Sequence, residues 1–195
     1  MELNLNLVKK LREETGAGIV DCRKALMKTG GNLDKAVNVL RTEGQKIALK
    51  KQSRETKQGV VGIYHHANGK IGALVALTCE TDFVARTEEF KELAHDLAMQ
   101  VAATDPFYLT QEDVPSKIIK KEEGIYCEQL INEGKPKKIL DKIIQGKLDK
   151  YFEEICLVKQ KFIKDDKITI EQLVEEKIAK FGENIQIKEF KRLSL

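Results

Sequence analysis

The chain has 195 residues, 34 basic and 31 acidic side chains and a formal net charge of +3. Hydrophobic residues make up 42% and charged residues 33%, a globular composition that excludes wholesale disorder, and no apolar run approaches the roughly 20 residues a membrane helix needs. So even a charge balance argues against a dedicated nucleic-acid binder, and Cys22, Cys79, Cys127 and Cys156 are too far apart to form the close pairs of zinc or redox motifs.

The start, "MELNLNLVKKLREETGAG", enters a helix directly. It has neither the apolar stretch of a signal peptide nor the Ser/Arg-rich look of a transit peptide, which predicts a cytoplasmic chain. Asn4 is the expected cap, and Leu5, Val8 and Leu11 fall at helical spacing with Leu7 beside them. "TGAG" at 15–18 stops this helix. Ile19, Cys22 and Leu26 mark the inward face of a second, which Gly30-Gly31 ends, and Val20 lies off that face. Asn32 caps a third helix bearing Leu33, Ala36, Val37 and Leu40, with Gly44 expected at its end. Three helices in some 40 residues hold a minimal core, which suits a docking module better than an enzyme. Residues 46–57, "KIALKKQSRETK", read as a basic linker.

A second domain begins near Gly59. "GVVGIYHH" and "KIGALVALTC" flank Ala67-Asn68-Gly69, the strongest short hairpin signal. The second run is apolar or small at both alternating sets, which predicts a strand covered on both faces. Thr87 is expected to cap a helix with Phe90, Leu93, Ala94, Leu97, Ala98 and Val101 inward, ending at Asp105-Pro106. Further helices follow Pro115 and Pro136. "EICLVKQKF" (154–162) reads as a strand, Thr169 with Gln172 as a capping box for a helix ending at Gly182, and "NIQIKEF" (184–190) as a final strand. The fold class is α+β: three N-terminal helices, then an antiparallel sheet backed by helices. The expected division is 1–45 helical module, 46–58 basic linker and 59–195 core.

No phosphate-binding glycine loop is present, so the chain should hold no nucleotide itself, and no cofactor or metal is expected. His65 and His66 are adjacent on a predicted strand and point to opposite faces, which prevents them from sharing a metal. His95 reads as a helix-shoulder residue. A nucleophilic Cys79 would need an activating histidine that nothing in the sequence supplies. That leaves "TDFVAR" at 81–86, where an apolar pair follows Asp82 at a strand–helix junction. In one reading Asp82 makes local turn hydrogen bonds and Phe83 folds into the core. In the other, Phe83 stands outward beside a charge, the composition of an interface hot spot.

Two motifs resemble the elongation factor Ts family, the nucleotide exchange factors of elongation factor Tu. They are "LVKKLREETGAGIVDCRKAL" (7–26), through Arg12, Thr15-Gly16-Ala17-Gly18, Asp21 and Cys22, and "TDFVAR". "GENIQIKEF" (182–190) is similar to the family's ending, so the likeness runs over essentially the whole chain. It implies that the helical module is similar to ubiquitin-associated domains and docks on the GTPase domain of elongation factor Tu, with Lys9, Arg12, Ile19 and Val20 as contacts. It also implies that Thr81, Asp82, Phe83 and Val84 form an intruding loop that disturbs the partner's Mg²⁺/phosphate site and releases GDP. The factor would bind both GDP-loaded and nucleotide-free partner, without covalent chemistry. Long members of the family have two similar core subdomains and a protruding helical hairpin. Here the resemblance implies the short form, with one core, dimerising through its sheet. His66 matches a family contact histidine, although a plain edge-strand role fits that position equally well.

Two readings from other classes stand beside this one. A ubiquitin-associated-like module fused to an RNA-binding domain would use the 46–57 segment and bind RNA with steep salt dependence. An enzyme built on Cys79 would lose turnover on Cys79→Ala.

Overall fold

A computed structural model describes residues 5–195, with the backbone only at 137 and 138. Asn4, the cap expected for the first helix, lies outside the described residues. The element order is α1 (Leu5–Thr15), α2 (Ile19–Lys28), α3 (Leu33–Lys51), β1 (Gln58–His65), β2 (Ile71–Cys79), α4 (Asp82–Ala85), α5 (Glu88–Thr104), α6 (Ser116–Asn132), α7 (Lys137–Ile155), β3 (Lys161–Phe162), β4 (Asp165–Thr169), α8 (Ile170–Phe181) and β5 (Ile185–Ser194). Strands β1, β2 and β5 form one sheet in the order β1-β2-β5, and β3 pairs antiparallel with β4. The architecture is α+β, N-terminal helices followed by a sheet-plus-helix core. Among the described residues no helix is long and apolar enough to cross a membrane.

Contacts divide the chain into two compact units. One gathers residues 1–60, 77–91 and 172–186, the other 61–76, 92–171 and 187–195. In the first, α1–α3 close around Val8, Leu11, Cys22, Ala25, Leu26 and Ala36. Gly16 turns the chain from α1 to α2 at φ +66°, a left-handed conformation that costs glycine nothing. Asn32 caps α3 by accepting from the Lys35 amide at 2.9 Å. Two expectations fail in this region. Leu5 is exposed, because it occupies the first residue of α1 before the buried Val8–Leu11 stripe. Helix α3 does not stop at Gly44 but continues to Lys51, and the buried Gly44 sits where a Cβ would meet Ala179 of α8 at 3.5 Å. Packing against α8 thus outweighs the glycine's weak helix propensity.

In the second unit the hairpin turn forms as patterned: the Gly69 amide donates to His66 O at 2.8 Å and the His66 amide to Ile71 O at 2.9 Å. Ala94 of α5 lies directly over Gly62 of β1, where any Cβ would overlap the Ala94 carbonyl. The α5 stripe Phe90, Leu93, Ala94, Leu97, Ala98 and Val101 is buried as expected. Strand β2 is not covered on both faces: Ala73, Val75, Leu77 and Cys79 are buried, whereas Leu74 on the other face is exposed. The stretch 154–162 is not a strand. Its first residues end α7, residues 157–159 form one 3₁₀ turn, and only Lys161–Phe162 pair as β3. Burial of Val114, Leu148, Phe152, Ile155 and Cys156 in one cluster fixes this segment as a helix end. Helices α6 and α7 form a pair joined by the short 133–136 turn. They match the two helices expected after Pro115 and Pro136.

Gly124 and Gly146 lie at exposed positions inside α6 and α7, where an added Cβ meets nothing within 4 Å. Gly124→Ala and Gly146→Ala should each stabilise the protein by up to about 1 kcal/mol in thermal unfolding, since alanine lowers the entropy cost of the helix. Gly62→Ala should instead cost on the order of 3 kcal/mol, because neither backbone can yield without displacing α5.

Candidate partner-binding loop

The segment 80–87 makes its turn with side-chain caps. Thr81 is the N-cap of the four-residue α4, its hydroxyl accepting from the Val84 amide at 3.4 Å. Thr87 then caps α5, its hydroxyl accepting from the Phe90 amide at 3.3 Å while donating to Val84 O at 2.8 Å. Ala85 is buried. Two residues apart on a helix means nearly opposite directions, so an inward Ala85 turns Phe83 outward. Phe83 is 80% exposed. Of the two readings open from the sequence, folding of the ring into the local core is therefore wrong. Asp82 forms an i,i+4 pair with Arg86 at 2.8 Å, both partly or well exposed, a contact of small energetic weight in water.

The loop is held at both ends by the segment that follows and includes the last turns of α8. Glu183 receives the Thr81 amide at 3.0 Å on one oxygen and the Thr81 hydroxyl at 2.6 Å on the other. Eight residues after Thr81, Glu89 accepts from Lys177 at 2.8 Å and from Lys180. Burial alone would raise the Glu89 carboxyl, but these two lysine hydrogen bonds outweigh it and hold the group below its ordinary value of 4.5. Phe90 and Phe181 meet edge to face with ring centroids 6.2 Å apart. None of Lys177, Lys180 or Glu183 was singled out for a role from the sequence, and Glu89 only as a charge suited to the start of its helix. Their partners stand far away in the chain, and a lone charged residue carries no local pattern; only the Gly-Glu-Asn run was a visible signal.

The other sequence-selected residues are distributed as follows. Lys9 and Arg12 are exposed on α1, Lys9 within 4.0 Å of Glu13. Val20 is 63% exposed, as expected. Ile19 is 57% exposed and not inward; it opens α2 one turn before the buried Cys22–Ala25–Leu26 face. His66 is not a strand residue: β1 ends at His65, and His66 opens the turn, its Nδ1 3.0 Å from the Tyr64 hydroxyl. His95 uses Nδ1–H to donate to Ile63 O at 2.9 Å. The Cys79 thiol is buried, donates to Thr81 O at 3.1 Å and is pushed up to about 11 by burial, with the Glu183 charge adding to it. A thiol at that value is almost wholly protonated at neutral pH, which makes it a poor nucleophile. Among the described residues no group of three or more His, Cys, Asp or Glu side chains is placed to hold a metal ion.

A sequence profile of the family described as Elongation factor TS matches residues 2–195. The chain belongs to the elongation factor Ts family. Elongation factor Ts of Thermotoga petrophila is 52% identical over 195 residues, covering 100% of this chain and 97% of that protein. Elongation factor Ts of Fervidobacterium nodosum is 49% identical over 195 residues, covering 100% of this chain and 99% of its own. Elongation factor Ts of Carboxydothermus hydrogenoformans is 50% identical over 189 residues, covering 97% of this chain and 87% of its own. Membership makes this chain a translation elongation factor and agrees with the reading taken from "TDFVAR" and the 7–26 motif.

The depressed Glu89 carboxyl has a consequence for acid stability. A group whose folded-state value lies below its unfolded one contributes stability above the unfolded value and loses it as pH falls through the folded value. Wild type should therefore exceed Glu89→Gln in melting temperature at neutral pH, with the gap closing as pH falls from about 5 towards 3. A gap independent of pH in calorimetry would remove the charge from the explanation.

Proposed function

We propose that this member of the elongation factor Ts family binds elongation factor Tu in its GDP-bound and nucleotide-free forms and speeds GDP release. The Phe83 ring carries the proposal: a large apolar side chain held in solvent by a loop whose two ends are clamped. Asp82 accompanies the ring, and Thr81 and Val84 shape its support. Residues 1–45 serve as the docking module, contacting the partner's GTPase domain through Lys9, Arg12, Ile19 and Val20. The basic segment 46–58 joins this module to the core of residues 59–195.

The mechanism is linkage. A factor that binds the empty partner more tightly than the GDP-loaded one weakens GDP by the same ratio. Burying a phenylalanine ring supplies about 2 kcal/mol, and this energy opposes the partner's groups that hold Mg²⁺ and the β-phosphate. No covalent bond changes, so the protein acts as an exchange factor. The basic segment favours this reading over RNA binding. Lys51 donates to Gly182 O at 2.6 Å, Lys57 pairs with Glu55 at 2.8 Å and Arg54 approaches Glu80 at 3.5 Å, so much of its charge is engaged within the chain.

We further propose that two copies associate through the uncovered sheet face. Val61, Ile63, Leu74 and Leu193 are all large, apolar and exposed on strands of that sheet, and an apolar face of this kind is stabilised by a cover. His66, at the end of the hairpin, is the proposed contact to the partner's third domain.

Phe83→Ala should slow release of a fluorescent GDP from elongation factor Tu on the order of tenfold or more, with no loss of melting temperature. Release at the wild-type rate would sink the wedge role. In sedimentation, the wild-type chain should run above its 22.1 kDa monomer mass and Ile63→Glu with Leu74→Glu should return it to that mass; a wild-type monomer at all concentrations would exclude the dimer.

A further inference from the structure

The segment Gly182-Glu183-Asn184, which follows α8, touches three places that are distant in sequence. Gly182 ends the helix at φ +72°, and its carbonyl, no longer part of the helical ladder, accepts from Lys51 at the end of α3 at 2.6 Å. Glu183 takes both donors of Thr81, the N-cap of the Phe83 loop. The Asn184 side chain is buried, and its amide donates to Arg54 O at 2.7 Å and Gln52 O at 3.3 Å, just beyond α3. The Asn184 backbone amide donates at 2.6 Å to Glu80, the residue before Thr81. On the last turn of α8 the Lys180 chain lies where a Cβ at Gly16 would stand 3.3 Å from its Cδ. The same lysine bonds Glu89 beyond the loop. All these contacts lie within the first compact unit.

We infer that Glu183 is a positioning residue for exchange: with its neighbours Gly182 and Asn184 it fixes the Phe83 loop and the end of the helical module on a single support. This inference rests on the reading of Phe83 as the wedge. The physics is pre-organisation. Thr81 is the first residue of the loop, and a carboxylate bonded to both its amide and its hydroxyl leaves it one orientation. With Thr81 fixed, the N-cap fixes α4, and Ala85 turned inward sends Phe83 out in one direction. A ring already aimed loses little conformational freedom on entering a partner. Glu183 bonds the amide and hydroxyl of Thr81, so its effect on exchange passes through Thr81.

The chain contains no tryptophan, so F83W places a single reporter on the loop. Time-resolved anisotropy of that reporter, without any partner, should show a larger fast-motion amplitude in Glu183→Ala. Glu183→Gln should restore it, since a glutamine can accept from the Thr81 amide and donate to its hydroxyl oxygen. In the background with Phe83 intact, Glu183→Ala should lower the maximal GDP release rate about fivefold or more, while the half-saturating factor concentration changes less than about twofold. If Glu183→Ala does not fold, Thr81→Val and Thr81→Ser make the same comparison from the other side of the bond, the valine loosening the reporter and the serine leaving it fixed. Unchanged anisotropy in the folded alanine or valine variant overturns the inference. So does a loss expressed only in the half-saturating concentration, which marks Glu183 as a docking residue. A loosened reporter with undiminished exchange overturns it too, since Glu183 then holds Thr81 without serving exchange, whereas normal release by Phe83→Ala would remove the wedge reading itself.

Discussion

The contact between Glu183 and Thr81 joins residues 102 apart in sequence and bonds the N-cap of the short helix that carries Phe83. Without a fixed first residue, a four-residue helix has no stability of its own, because nucleation costs more than so few hydrogen bonds return. The loop is ordered by what holds its ends: Glu183 on Thr81, and Lys177 with Lys180 on Glu89. Each clamp is a charge-assisted interaction with a partly shielded carboxylate, stronger than a surface pair and with geometry fixed by two donors. The exposed ring is thus a local cost carried by a rigid surround, as expected at functional positions.

The same region makes Cys79 a poor nucleophile. It sits at the end of β2, buried under the loop, beside the Glu183 charge and in an apolar setting. Both effects keep the thiol protonated. A cysteine in this place serves as a small buried side chain whose sulfur donates weakly to Thr81 O, one more restraint on the residue that Glu183 holds.

Elsewhere the fold separates a buried surface from an unsatisfied one. Gly62 lets α5 approach β1 to backbone contact, and that closeness buries the inner face of the hairpin. The outer face keeps Val61, Ile63 and Leu74 in solvent. An alternating strand needs polar residues on its wet side; this one has isoleucine, leucine and valine there. The strands and the loop share one feature, since both leave large apolar groups in solvent.

The sequence by itself determined the element order and its limits wherever a local signal exists. Gly30-Gly31, Asp105-Pro106, Gly134-Lys-Pro136 and Gly182 mark boundaries by backbone conformation. The α5 stripe from Phe90 to Val101 was readable because helical period is a property of neighbours in the chain. The family motifs were readable for the same reason, and with them the candidate residues Asp82 and Phe83. Other features were decided by contacts that have no local signature. Helix α3 runs past Gly44 because α8 covers it, 154–162 is a helix end because Phe152 and Ile155 are buried among α6 and α7 residues, and Ile19, the first residue of α2, is left exposed. The direction of Phe83 belongs to this second class. Composition allowed the ring inside or outside, and the choice came with Ala85 turning inward, on a turn whose N-cap is bonded by a carboxylate from residue 183.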